Sequence, residues 1–163
     1  MPFASDGSEN VQKSRSTVRV ATPMRCLAWP HDALRALLRE VRTIAVVGLS
    51  PKRDRPSHGV ARYLQGAGYH IVPINPGHEE ILGERSYPTL AAAARDHAID
   101  VVDVFRRSEH AGAVVDEAIA LRPRLIWLQQ GIVDAAAAAR AEAAGIPIEM
   151  DSCLAVQHRI LEV

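Results

Sequence analysis

Residues 43–76 read TIAVVGLSPKRDRPSHGVARYLQGAGYHIVPINP. The stretch opens with a short apolar run, 43–47, that ends at Gly48. An unbroken apolar run of this length is the mark of a strand covered on both faces, as in a parallel sheet. A polar loop follows, and then PSHGVARYLQGAGY at 56–69. We expect a helix there, because Pro56 suits its first turn and Gly66 or Gly68 its end. HIVPINP, 70–76, is a second apolar run, closed by Pro76 and Gly77. The order is therefore strand, helix, strand.

The alternation continues to the end of the chain. TLAAAARDHA (89–98), EHAGAVVDEAIAL (109–121) and DAAAAARAEAAG (134–145) are expected helices. IDVVDVF (99–105), RLIWLQQG (124–131) and IPIEM (146–150) are expected strands. DSCLAVQHRILEV (151–163) is expected to form a last helix with Asp151 as its N-cap. HDALRALLREVR (31–42) adds a helix in front, with Ala33, Leu34, Leu37, Leu38 and Val41 on one stripe. Five strands alternating with helices predict a single α/β domain. Its architecture is a doubly wound, five-stranded parallel sheet with helices on both faces. Residues 1–30 carry Ser, Asn, Gln and scattered charge without a period, and are expected to be a mobile tail. The domain is expected to span 31–163.

Composition narrows the function classes. The 163 residues hold 19 Lys+Arg and 19 Asp+Glu, so the net charge is zero. A broad nucleic-acid surface needs a basic excess, so no nucleic-acid partner is expected. No apolar run approaches the ~20 residues of a membrane span, so no membrane partner is expected either. The N-terminus lacks the basic and apolar regions of a secretory signal. Two cysteines, Cys26 and Cys153, do not make a disulfide framework. A cytoplasmic location with free thiols is expected. Twenty-six alanines and only seven aromatic residues predict close helix–sheet packing.

In a doubly wound sheet, ligands bind beyond the carboxyl ends of the strands. The loop after the first strand, GLSPKRDRPSHG (48–59), offers Gly48 for close backbone approach and hydroxyls on Ser50 and Ser57. It adds charge on Lys52, Arg53 and Arg55, and a helix start at Pro56. It is neither GxGxxG nor a Walker A loop. The second strand ends at Asn75–Pro76, where a typical NAD site wants an acid for the ribose. The third ends at Phe105, Arg106 and Arg107, a flat ring beside two guanidinium groups that suit phosphate. Asp103, inside that strand, is expected to be a structural hydrogen-bonding residue. The fourth ends at Gln129, Gln130, Gly131 and Ile132. Cys153 falls near the start of the last helix, where a thiol gains reactivity. The seven histidines show no metal-ligand spacing, and no GxSxG elbow or acid–base pair stands out.

Five segments in order, 43–76, EEILGERSYPTL (79–90), DVVDVFRRSEH (100–110), IWLQQGI (126–132) and MDSCLAVQHRIL (150–161), resemble the small bacterial and archaeal CoA-binding proteins. These are stand-alone Rossmann-like domains, similar to the CoA-binding domain of the succinyl-CoA synthetase α subunit. The resemblance implies coenzyme A or an acyl-CoA as the small-molecule partner. It implies a site made of Gly48, Leu49, Ser50, Lys52, Arg55, Pro56, Ser57, Asn75, Pro76, Phe105, Arg106, Arg107, Gln129, Gly131, Ile132 and Cys153. The 48–57 loop would hold phosphates, Asn75–Pro76 and Phe105–Arg106 would border adenosine, and Gln129 to Gly131 would line the pantetheine path. The synthetases keep their phosphorylated histidine and nucleotide grasp in other domains, so their activity does not transfer. The family pattern often has Asp-Arg-Cys where this chain has Asp151–Ser152–Cys153, which removes a charge beside the thiol.

The expected function is a CoA-binding module without catalysis of its own, with a protein partner left open. Three alternatives compete with it. One is an NAD(P)-binding redox protein or regulator. Another is an enzyme or redox switch in which Cys153 forms a mixed disulfide with CoA. The third is a non-catalytic subunit of an acyl-CoA synthetase assembly.

Overall fold

The computed structural model describes residues 30–163. Apart from Pro30, the expected tail and Cys26 lie outside the described residues. The chain runs α1 (His31–Glu40), β1 (Thr43–Val47), α2 (Pro56–Gly66), β2 (His70–Ile74), β3 (Glu80–Ile81) and β4 (Glu84–Arg85). It continues through α3 (Leu90–Ala93), β5 (Val101–Val104), α4 (Ser108–Leu121) and β6 (Leu125–Leu128). It ends with α5 (Ala135–Ala143), β7 (Ile148–Glu149) and α6 (Leu154–Ile160). Five strands form one sheet in the order β2-β1-β5-β6-β7, and every adjacent pair is parallel. The expected five-stranded, doubly wound α/β domain is what the sequence forms.

The unbroken apolar runs are explained by two cores. Alternate strand residues face opposite sides. Ala45, Val47, Val102, Val104, Ile126 and Leu128 pack on one side with alanines and valines of α3, α4 and α5. Ile44, Val46, Val101, Leu125 and Trp127 pack on the other with α1, α2 and α6. Alanines let helices lie close to the sheet, as Ala137, Ala138 and Ala141 of α5 do, all of them buried.

The two edges of the sheet differ: β2 is covered, and β7 is short. On β2, Pro73 has no N–H to offer, as suits an edge strand. The Tyr87 segment lies beside it: the Tyr87 N–H donates to the Pro73 carbonyl and the Asn75 N–H to the Tyr87 carbonyl, each at 2.9 Å. On the far side, β7 pairs with β6 through two residues only, Ile148 and Glu149.

Three local expectations are corrected. The helix expected over 89–98 is a single turn, α3. Beyond it, Asp96 accepts a hydrogen bond from the Tyr87 hydroxyl at 2.9 Å, and His97 Nε2 lies 3.0 Å from the same hydroxyl. Those side chains tie the segment to its neighbour instead of extending the helix. Residues 80–85 form an antiparallel hairpin, β3 with β4, that the sequence reading does not contain. Asp151 is not an N-cap. Its φ is +54°, and its carboxylate accepts the Gly131 N–H at 2.7 Å, across the rim. Cys153 takes the N-cap place and α6 starts at Leu154.

Candidate functional site

The sheet order reverses direction between β1 and β5. The chain leaves β1 for β2 on one side and returns to β5 on the other. The crevice above such a reversal is where doubly wound sheets bind ligands. Here Gly48 and Phe105 meet at close range. A Cβ on Gly48 would lie 2.7 Å from the Phe105 carbonyl oxygen and 3.5 Å from Arg106 Cδ. Gly48 also has φ +84°, a region that favours glycine. Its absent side chain thus serves the packing of two strand ends, and it lays the Arg106 stem against the first loop.

That loop is braced from within. The Ser50 N–H donates to Ser57 Oγ at 3.0 Å, and the Lys52 N–H donates to Ser50 Oγ at 3.2 Å. Ser57 is buried, so its hydroxyl shapes the loop before it serves any ligand. Lys52, Arg53 and Arg55 stay exposed, and no salt bridge engages them or Arg106 among the described residues. Arg107 is exposed and lies 3.9 Å from Glu109, also exposed, which is a weak tie.

Pro56, Val60, Phe105, Arg106, Arg107, Gln129, Gln130, Gly131, Ile132 and Cys153 line one open cavity of about 470 Å³. Three helices begin at it, α2 after Arg55, α4 after Arg107 and α6 after Cys153, and none has a side-chain cap hydrogen bond. The N-caps of α3 and α5, Thr89 and Asp134, do accept such bonds and do not line the cavity. First-turn N–H groups and the positive ends of helix dipoles therefore gather at one opening, the arrangement that attracts anions.

The floor of the cavity is polar and buried. Gln129 donates from Nε2 to Asp103 Oδ1 at 2.7 Å, with both side chains almost wholly out of solvent. Burial pushes the Asp103 carboxyl up to about 7, against the hydrogen bonds from Gln129 and the Val104 backbone, which favour its charged form. Trp127 Nε1 donates to the Ser152 carbonyl at 2.8 Å, which fixes the loop that carries Cys153. The thiol of Cys153 is free and half-buried.

A family model described as a CoA binding domain matches residues 42–159. The chain belongs to this CoA-binding family. The Bacillus subtilis (strain 168) protein YneT is similar to this CoA-binding domain, 39% identical over 127 residues, or 78% of this chain and 93% of that one. A solved structure from Thermus thermophilus has 38% identity and a TM-score of 0.78, over 82% of this chain and 99% of its own. One from Pyrococcus horikoshii OT3 has 30% identity and a TM-score of 0.80, over 87% and 99%.

Not every expected residue of the CoA-binding domain reaches the cavity. Leu49 is 0% exposed and its side chain belongs to the core, while its carbonyl accepts from Asn75 Nδ2 at 2.9 Å. Asn75 spends its amide inside the protein, since its Oδ1 also accepts the Gly77 N–H at 2.8 Å. Asn75 and Pro76 line a second, polar recess of about 770 Å³ with His78, Glu79, Arg85 and Ser86. Gly48, Ser50, Lys52, Arg55 and Ser57 form the first loop and line neither. The Gly131 N–H is taken by Asp151, although the space above its α-carbon is open. Gln130, placed at the rim by the sequence though not in the implied site, lines the cavity too, and Val60 is a lining residue that the sequence reading misses. Val60 lies one helical turn after Pro56, so the i+4 rule points to it.

Proposed function

We propose that the rim cavity and the 48–57 loop hold coenzyme A or an acyl-CoA, and that residues 31–163 work as a cytoplasmic binding module. The observation that carries this reading is the convergence of three uncapped helix starts with Arg106 and Arg107 at one cavity of a CoA-binding family member, next to a first loop whose Lys52, Arg53 and Arg55 are exposed. CoA brings a diphosphate and a 3′-phosphate, which suit Lys52, Arg55 and Arg106. Phe105 offers a flat apolar face. Pro56, Val60, Gln129, Gly131 and Ile132 give the mixed lining that a pantetheine arm needs. In this reading the adenosine lies toward Phe105, Arg106 and the recess at Asn75–Pro76, and the arm runs over Gln129 toward Cys153. Such a module would keep CoA or an acyl-CoA available to a protein partner.

The NAD(P) reading is weaker, because Asn75 stands where an acid would take the ribose diol and its amide is already engaged. A thermal-shift series with CoA, acetyl-CoA, NAD and NADP decides between them. Stabilisation by the two CoA compounds is expected, and a response to NAD alone overturns the reading. Arg55→Ala and Arg106→Ala should each weaken CoA binding about tenfold, as loss of a charged hydrogen bond does, and leave pantetheine binding unchanged. Equal losses for both ligands would show a folding role instead.

A second reading rests on Cys153, the free thiol in the cavity lining. Its thiolate would attack CoA disulfide, form a protein–CoA mixed disulfide and release one CoA thiolate. Intact mass after incubation with CoA disulfide should show one adduct in the native chain and none in Cys153→Ser. An adduct in both removes this reading.

A further inference from the structure

Asp103 is a costly residue for its place. It sits in β5, 0% exposed, opposite Val46 of β1 and Trp127 of β6. No cation faces it among the described residues, and its Oδ2 has no hydrogen-bond partner. Burying an unpaired carboxyl oxygen costs stability that a valine here would not. The group it does hold is Gln129, through the 2.7 Å bond to Oδ1. Gln129 in turn lines the cavity, and its Oε1 takes no hydrogen bond from the described residues. An ionised Asp103 offers acceptors only, and a protonated one with its proton on the partnerless Oδ2 still accepts at Oδ1, so both forms suit the amide orientation with nitrogen inward and oxygen outward.

We propose that Asp103 is a positioning residue, which fixes the Gln129 amide so that its oxygen accepts a hydrogen bond from an amide N–H of the pantetheine arm. The proposal rests on the CoA reading above. It separates two kinds of ligand: those with an N–H to place over Gln129, and those that bring only the nucleotide. It also gives Asp103 a role that no contact with ligand would reveal, since Gln129 stands between them.

The test is calorimetric titration of the full chain with CoA and with ADP, which lacks the arm. Asp103→Val should lower CoA affinity about tenfold and leave ADP affinity unchanged, the loss of one oriented hydrogen bond. Asp103→Asn keeps an acceptor at the Oδ1 place and should restore CoA affinity to within about twofold. Gln129→Ala should match Asp103→Val, and the double variant should lose no more than either. Equal losses of CoA and ADP, unchanged CoA binding in Asp103→Val, or failure of Asn to rescue would overturn the proposal while leaving the CoA reading intact. If the unaltered chain binds neither compound, the CoA reading falls, and this one with it.

Discussion

Gly48 and Asp103 show how single positions serve the site through the backbone and the core. At Gly48 an alanine would meet the Phe105 carbonyl at 2.7 Å in a left-handed conformation. Gly48→Ala should cost about 2–4 kcal/mol, the sum of backbone strain and overpacking, read as a lower urea midpoint. An unchanged midpoint would mean the strand ends part without cost. Asp103 has a folded-state pKa of about 7 against 3.8 when unfolded. Folding therefore favours its protonated form. The stability it supplies is present below pH 3.8 and is lost as pH rises toward 7. Asp103→Asn removes that loss, so its Tm advantage over the native chain should open as pH is raised across this window. A constant difference at every pH would show that Asp103 does not titrate there. The sequence marks Asp103 as unusual within an apolar strand. It does not show that Gln129 lies beside it, because that pairing needs the β5–β6 register.

Among the elements, α6 and α2 are joined by an aromatic cluster rather than by aliphatic packing alone. His158 lies edge-on to Tyr63 and Tyr69, with Nδ1 3.0 Å from the Tyr63 hydroxyl. Burial, and then the nearby Arg159, hold its pKa below the usual 6.5. The unfolded chain binds that proton more readily. Stability is complete above pH 6.5 and falls as pH drops from there through the folded-state value. His158→Gln should flatten this acid-side slope in urea melts recorded at several pH values. An unaltered slope would place the titration elsewhere. The major strands and helices are legible in the sequence because their apolar periods are strong. The β3–β4 hairpin is not, since its turn places Leu82 at φ +57° before Gly83 at φ +76°. Asn or Asp is the usual signal at that first position. Leu82 tolerates it while packed against the core.

For the whole molecule, a net charge of zero conceals an uneven distribution. Lys52, Arg53, Arg55, Arg106 and Arg107 crowd the carboxyl rim of the sheet. Ion pairs such as Arg124 with Glu40 and Arg140 with Asp116 lie on other parts of the surface. Raising salt from about 50 to 500 mM shortens the Debye length severalfold and should weaken CoA binding more than pantetheine binding. Equal salt dependence would show that the rim charges do not meet the phosphates. The rim itself is legible in the sequence, because topology sends every strand end to one side. Which rim atoms remain open is not. Leu49 turns inward, Asn75 bonds across to the Leu49 carbonyl, Ser57 bonds within its own loop, and the Gly131 N–H goes to Asp151. Such assignments depend on loop geometry that no periodicity encodes. The two margins of the sheet carry one further consequence. With Tyr87 backing Pro73 at one side and only a two-residue strand at the other, the described residues offer a second copy little ladder to join. Growth by strand addition is disfavoured at both margins.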